Sequence, residues 1–339
     1  MTALDLRSDT VTRPSPAMRR AIAEAEVGDD VFDGDPTTRR LEHEVAERLG
    51  QQAALFFPSG TQANQVAIGL QVRRGDELVL EAGAHLLHYE MGGLAGLWGV
   101  QPRPVATPDG TLDAALVESA IRPASPHVVR TGGIAIENTH NAAGGTVMPL
   151  ATMREIRALA DRCGLPLHVD GARLWNAAAA LGLEPGALGS VGTSVMVSFS
   201  KGLGCPVGSC LAASDTLIAE ARVLRRRLGG GMRQSGMLTA ACLYGLEHVL
   251  PRLADDHAAA RALADAMGDQ PALRVTAPQT NIVMIELLRH SADEAVRVLA
   301  AAGVLVVPYG PTRLRAVTHL DVSAADARRA GEVIARTLR

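Results

Sequence analysis

Lysine is all but missing from this chain. Of its 33 basic residues one, Lys201, is a lysine and the other 32 are arginines. A guanidinium stays protonated and cannot serve as an amine nucleophile. A lysine that is desolvated, or set beside another cation, can lose its proton and form a Schiff base. Surface drift would also leave a solitary lysine, so its neighbours must decide. Aromatic residues are scarce at 3%, which leaves the core to Ala, Val, Leu and Ile. The four cysteines (Cys163, Cys205, Cys210 and Cys242) show neither C-x-x-C spacing nor a cysteine/histidine pattern. They read as reduced thiols of a cytoplasmic protein, and no metal is expected. A net charge of -3 gives no footprint for nucleic acid. No stretch approaches the roughly 18 uninterrupted apolar residues of a membrane span, and no apolar signal region is expected.

What is present is an alternation of short apolar runs with longer helical patterns. Runs 77–81, 133–137, 165–169, 193–199 and 208–212 read as strands. Between them, 152–163 places Met153, Ile156, Leu159, Ala160 and Cys163 on one helical face, and helices follow at 215–228 and 235–249. Such alternation predicts an α/β fold with a mostly parallel sheet covered by helices. After Pro251 come a helix at 252–267, a strand at 281–287, a helix at 291–302, strands at 304–307 and 313–319, and a helix at 323–338. The expected organisation is an N-terminal arm (1–14), a large domain (15–250) and a smaller C-terminal α/β domain (251–339).

In open α/β sheets, ligands gather at the carboxyl ends of the strands. Four polar segments fall there. Lys201 sits in "SFSKGLGCPVGS", directly after strand 193–199. Its glycines have the wrong spacing for a dinucleotide fingerprint, and the loop lacks a P-loop ending, so they read as room for a ligand. "PSGTQAN" puts Ser59, Gly60 and Thr61 at a helix start, either as an ordinary N-cap or as a phosphate cup. Asp170 closes "LPLHVD"; it either caps the next segment or pairs with a protonated pyridine nitrogen. Arg173, three residues on, can clamp a carboxylate through two parallel hydrogen bonds. His85 follows strand 77–81. An imine-forming lysine, an aspartate for a pyridinium and a helix start for a phosphate are the requirements of pyridoxal 5'-phosphate (PLP) chemistry.

These stretches, with "DLRSDTVTRPS" (5–15), "VGDDVFDGDPT" (27–37), "ENTHN" (137–141), "GGGMRQSG" (229–236) and "VTHLDV" (317–322), closely resemble the low-specificity L-threonine aldolases. That family is a branch of the fold-type I, aspartate-aminotransferase-like PLP enzymes. The resemblance implies Lys201 as the Schiff-base lysine, Asp170 on the pyridine nitrogen, and His85 stacked on the ring. It implies Ser59, Gly60, Thr61, Ser200 and Arg233 around the phosphate, Arg233 coming from a neighbouring subunit, and Arg173 bordering the cofactor. Ser8, Arg173 and Arg315 would hold the substrate carboxylate, and His127 would lie near the β-hydroxyl. The implied reaction is retro-aldol cleavage of threonine to glycine and acetaldehyde, with His85, His127 or a water as the base. A homotetramer built as a dimer of dimers is implied too. Phe32, where a tyrosine is expected, and the apolar Leu86 and Leu87 depart from the family pattern and bear on substrate preference.

Three rivals remain on sequence grounds. A β-eliminating lyase or a serine hydroxymethyltransferase would share the lysine, the aspartate and the phosphate cup. A non-catalytic PLP-binding regulator would not need Ser8, Arg173, Arg315 or the histidines. A cofactor-free Schiff-base aldolase on a (β/α)8 barrel would have no use for Asp170.

Overall fold

The computed structural model describes residues 3–339. Its larger sheet has seven strands: β2 (Ala53–Phe57), β3 (Glu77–Glu81), β4 (Gln101–Val105), β5 (Thr131–Glu137), β6 (Leu167–Gly171), β7 (Ser194–Ser198) and β8 (Ser209–Ala213), preceded in the chain by the two-residue β1 (Leu4–Asp5). Their order is β2-β8-β7-β6-β5-β3-β4. β8 runs antiparallel to both neighbours and the other pairs are parallel. The carboxyl ends of the six parallel strands therefore share one edge, where β8 begins.

Both faces of this sheet are covered, which is why its central strands read as continuous apolar runs rather than alternating ones. Every residue of β5, β6, β7 and β8 is buried. Phe56, Val195 and Val197 pack on one face among residues of helices Pro36–Leu49 and Leu150–Cys163. Leu55, Phe57 and Met196 pack on the other, with helices Gly60–Gln71 and Asp215–Arg227. β4 carries Pro102 and Pro104 and lies at the sheet edge, where a missing backbone donor is tolerated.

The C-terminal part forms a four-stranded antiparallel sheet, β12-β13-β10-β9, from β9 (Leu273–Val275), β10 (Ile282–Leu287), β12 (Val307–Pro308) and β13 (Arg313–Val317). Its core joins Val283, Ile285 and Leu314 to Leu263, Leu299 and Ile334 of the covering helices. Leu6 belongs to this second core. β1 pairs in parallel with β11 (Val304–Leu305), and Leu6 is held from both sides by backbone bonds to Leu305 and Val317. The N-terminal segment is thus stitched to the last third of the chain.

Three expectations need adjustment. The run 304–307 is two short strands serving different sheets. The helix expected over 235–249 is α-helical only over Gly236–Tyr244 and widens to a π-turn over Gly245–Val249, just before Pro251. β4, β9 and the helices Pro16–Ala23, Pro36–Leu49 and Ala114–Ala120 were not foreseen. Among the described residues, no helix is long and apolar enough to cross a membrane.

Candidate active site

At the carboxyl edge of the larger sheet a pocket of about 670 Å³ is lined by Ser8, His85, Tyr89, Asn141, Arg173, Lys201, Tyr309 and Arg315, among others. Each part of the chain supplies some of it: the N-terminal segment, the loops after β3, β5, β6 and β7, and β13. Lys201 follows β7, half-buried, and makes no ion pair among the described residues. Burial first, then the nearby Arg173 charge, holds its ammonium below the usual lysine range; Asp9, Asp170 and Glu137 oppose this. A depressed amine is what Schiff-base formation requires.

Three of the five N–H donors of Arg173 are taken. Its Nε and Nη2 both donate to the Asp9 carboxylate at 2.8 Å, and its Nη1 donates to Asn141 Oδ1 at 3.1 Å. Asp9 is 0% exposed and also accepts from Asn281 Nδ2 at 3.1 Å. Burial works to raise its carboxyl, but the Arg173 guanidinium prevails and brings it to about 2. Arg315 differs. Its Nη1 donates to the same Asn141 Oδ1 at 2.9 Å, its Nε is buried without a partner, and no carboxylate lies within ion-pair distance among the described residues. Two guanidinium groups thus converge on one amide oxygen, and only one of them is neutralised. Arg173 and Arg315 both line the pocket, and among the described residues the charge without a carboxylate partner is that of Arg315.

Behind the pocket lies a buried polar network. Asp170, 2% exposed at the end of β6, accepts from the Ala172 backbone at 3.1 Å and from Asn64 Nδ2 at 2.9 Å. The same amide nitrogen donates to Glu90 Oε1 at 2.9 Å, and Glu90 Oε1 lies 3.1 Å from His85 Nδ1. One polar atom from each of His85, Glu90 and Asp170 lies within 4.8 Å of the others. Burial lowers the basicity of His85, but the Glu90 hydrogen bond and the Asp170 charge outweigh it, and its pKa is raised. The Glu137 carboxylate accepts the backbone N–H groups of His85 at 2.7 Å and Asn141 at 2.9 Å, fixing two pocket residues from one side chain.

The helix Gly60–Gln71 starts on the same sheet edge. Ser209, first residue of β8, is the register partner of both Phe57 and Ser198, so Gly60 and Thr61 flank the loop that carries Ser200 and Lys201. Ser59 accepts the Gln62 N–H at 3.2 Å as an N-cap, which leaves the Gly60 and Thr61 amides open toward an anion. Ser209 Oγ is buried here without a partner. The glycines of the lysine loop have another cause than ligand access. Gly204 and Gly208 have φ of +68° and +114°, and a Cβ on Gly208 would lie 2.6 Å from Phe56.

Ser59, Gly60, Thr61, Asp170 and Ser200 border the pocket without lining it, and two further expected residues are exposed away from it. Arg233 is exposed, 3.3 Å from both Asp29 oxygens and stacked over the Phe32 ring. His127 is exposed in the loop before β5. That loop feeds the amino end of the strand, the opposite sheet edge from the pocket, so His127 cannot reach the site of its own chain. Of the other histidines near the sheet edge, His168 is packed in β6, and His140 Nε2 lies 3.0 Å from Glu81 Oε2. Asp9, Asn64, Glu90, Asn141, Asn281 and Tyr309 are given no role by the sequence alone, although Asp9, Asn64 and Asn141 lie in quoted motifs.

The β-eliminating lyase family profile matches residues 5–289. A low-specificity L-threonine aldolase of Arabidopsis thaliana is 41% identical over 335 residues, 96% of this chain and 94% of that protein. That of Escherichia coli K12 is 42% identical over 321 residues, 94% of this chain and 95% of the relative. The chain belongs to the low-specificity L-threonine aldolase family. The threonine aldolase of Leishmania major shares the fold, with a TM-score of 0.81 at 22% identity over 99% of this chain and 100% of that one. The protein is a PLP-dependent lyase of fold type I. Its residues fit the cofactor. Among the described residues, Lys201 offers a depressed amine without an ion-pair partner, Asp170 a buried carboxylate met only by neutral donors, and the Gly60–Gln71 helix start open amides beside an unpartnered Ser209 hydroxyl.

Proposed function

We propose that this enzyme cleaves L-threonine, L-allo-threonine and other β-hydroxy-α-amino acids between Cα and Cβ, releasing glycine and an aldehyde. The observation that carries the reading is one pocket holding a depressed amine, a guanidinium without a carboxylate, and a histidine backed by a buried carboxylate. Arg315 takes the substrate carboxylate, aided by Ser8 and Arg173, with Asn141 accepting from both guanidinium groups. Lys201 would carry the cofactor and Asp170 face its ring nitrogen, with Gly60, Thr61 and Ser200 around the phosphate. When bound, PLP supplies the sink for the electron pair left as Cα–Cβ breaks. His85 accepts the β-hydroxyl proton, the oxygen becomes the aldehyde carbonyl, and Cα takes up a proton to give glycine. His85 is the better base because it lines the pocket, whereas His127 does not.

The assembly is read as a homotetramer in which a neighbouring copy brings Arg233 to the phosphate and His127 toward the hydroxyl. Support comes from their placement outside the pocket and from apolar side chains left exposed, Phe32 at 80% and Met91 at 94%. An arm (1–14), a large domain (15–250) and a small one (251–339) are the reading of the organisation, supported by the separate cores. Free thiols at all four cysteines support a cytoplasmic setting.

The test uses purified enzyme incubated with PLP. A visible-region absorption band is expected, lost in Lys201→Ala, with acetaldehyde released from L-threonine or L-allo-threonine and not from the D-isomers. A colourless protein, or ammonia and pyruvate from serine in place of acetaldehyde from threonine, refutes the reading.

A further inference from the structure

We propose that Glu90 is the positioning residue that makes His85 the proton-transfer group of the site, with Asn64 the joint that ties it to Asp170. The inference rests on the function proposed above for its chemistry, but its geometry stands alone. Glu90 is 3% exposed. Its Oε1 meets His85 Nδ1 at 3.1 Å and Asn64 Nδ2 at 2.9 Å, and its Oε2 accepts from Gln65 Nε2 at 2.6 Å. A buried carboxylate must be hydrogen-bonded and balanced. Two amides supply the hydrogen bonds, and His85 is its sole ion-pair partner among the described residues. An acceptor at Nδ1 places the hydrogen there and leaves Nε2, the ring's other nitrogen, for the pocket. A carboxylate behind a histidine both fixes the tautomer and stabilises the charge the ring gains on taking a proton.

Asn64 is oriented by a chain of donors that begins far from the pocket. Gln71 Nε2 donates to Ser194 Oγ at 2.8 Å, and Ser194 Oγ lies 2.8 Å from His168 Nδ1. His168 Nε2 lies 2.9 Å from Asn64 Oδ1. Burial lowers the His168 pKa to about 4, so the ring is neutral and carries a single hydrogen. Asn64 Oδ1 can only accept, which assigns that hydrogen to Nε2 and makes Nδ1 the acceptor from Ser194. The Asn64 amide nitrogen is thereby turned toward Glu90 and Asp170, with one hydrogen for each. Its carbonyl in that place would add a third partial negative charge.

The groups facing His85 are Glu90, Asp170 and Lys201, with the Tyr89 ring at 5.4 Å and the Glu137 carboxylate on its backbone N–H. Asp170 and Glu90 raise its basicity, and burial and Lys201 lower it. Removing the Glu90 charge therefore shifts the balance downward.

The test follows the His85 ring nitrogens by NMR in the PLP-free and PLP-loaded enzyme, alongside aldehyde release against pH. In the wild type His85 should be the Nδ1–H tautomer when neutral. Glu90→Gln should lower its titration by roughly one pH unit, with Glu90→Asp restoring part of it. Glu90→Gln should cost about tenfold or more in kcat, and the acid limb of the pH profile should move with the His85 titration. In a His85→Asn background the same change should cost less than about twofold, because residues acting as one unit are not additive. An unshifted His85 titration, or an equal loss with and without the imidazole, overturns the proposal. If His85 titrates as described while the wild type releases no aldehyde from threonine, the reaction is wrong and the Glu90–His85 pair stands.

Discussion

Replacing Asp9 by asparagine keeps the shape of the side chain and removes one charge from the most deeply buried ion pair of the site. Asp9 and Arg173 are 0% and 4% exposed, joined by two hydrogen bonds of 2.8 Å. Breaking a buried pair by removing one partner costs about 3–5 kcal/mol, and an asparagine that still accepts one N–H belongs at the lower end, about 3 kcal/mol. The pH dependence has a definite sign. The Asp9 carboxyl titrates at about 2 when folded against an ordinary 3.8. Its contribution is therefore complete well above 3.8 and is lost as the pH falls through the folded value. That difference corresponds to about 2 kcal/mol, roughly half of it gone by about pH 3. Urea unfolding of the two proteins from pH 7 to pH 3 measures this. The stability gap should be near 3 kcal/mol at neutral pH and narrow by about 1 kcal/mol at the acid end. A gap below about 1 kcal/mol at pH 7, or one that does not narrow, would refute the claim that this ion pair joins the N-terminal segment to the pocket.

Arg315→Ala should raise KM for the amino acid about 10- to 100-fold while changing kcat much less, since it removes a charged hydrogen bond made equally in ground and transition states; steady-state kinetics at fixed PLP checks this. His127→Ala should leave unfolding stability within about 0.5 kcal/mol, as expected for an exposed loop residue, so that any loss in kcat reports delivery from a neighbouring copy. Gly208→Ala should cost more than about 2 kcal/mol in urea unfolding, because φ is +114° and the new Cβ would lie 2.6 Å from Phe56. The same variant should weaken PLP retention, since Gly208 closes the loop that carries Lys201.

The larger sheet was legible because its strands are buried on both faces, so short apolar runs stand out without any alternation. The element ends that were misplaced fall where tertiary pairing decides: 304–307 divides because its two halves pair with different partners, β1 and β13. The helix Pro36–Leu49 carries its end signals in its own sequence. Asp35 caps it, Pro36 opens it, and Gly50 closes it at φ +64°. Within the site, Lys201, Asp170 and His85 are legible because each lies at or just beyond the carboxyl end of a strand. Asp9, Asn141 and Asn281 could not, since they matter only through residues more than 30 positions away in sequence. Glu90 carries no motif at all; its significance comes from sitting beside His85 with no other ion-pair partner among the described residues.

The charges of the site, once paired off, specify what must enter it. Asp9 neutralises Arg173, and Glu90 is matched by His85. Glu81 is held at about 2, where burial is outweighed by His140, while burial pushes Glu137 upward on its two backbone donors. Arg315, Lys201 and Asp170 remain, together with the open amides of one helix start. Arg315 calls for a carboxylate, Lys201 for a carbonyl carbon, Asp170 for a cationic N–H donor, and the helix start for an anion. No single small metabolite carries all four, but an α-amino acid together with PLP does. Lys201 would hold the cofactor, and any exchange at its amine needs that amine neutral for part of the time. Burial and the Arg173 charge depress Lys201 in that direction. Arginine in the same loop would keep its charge through the exchange, which is why the one lysine of this chain stands where it does.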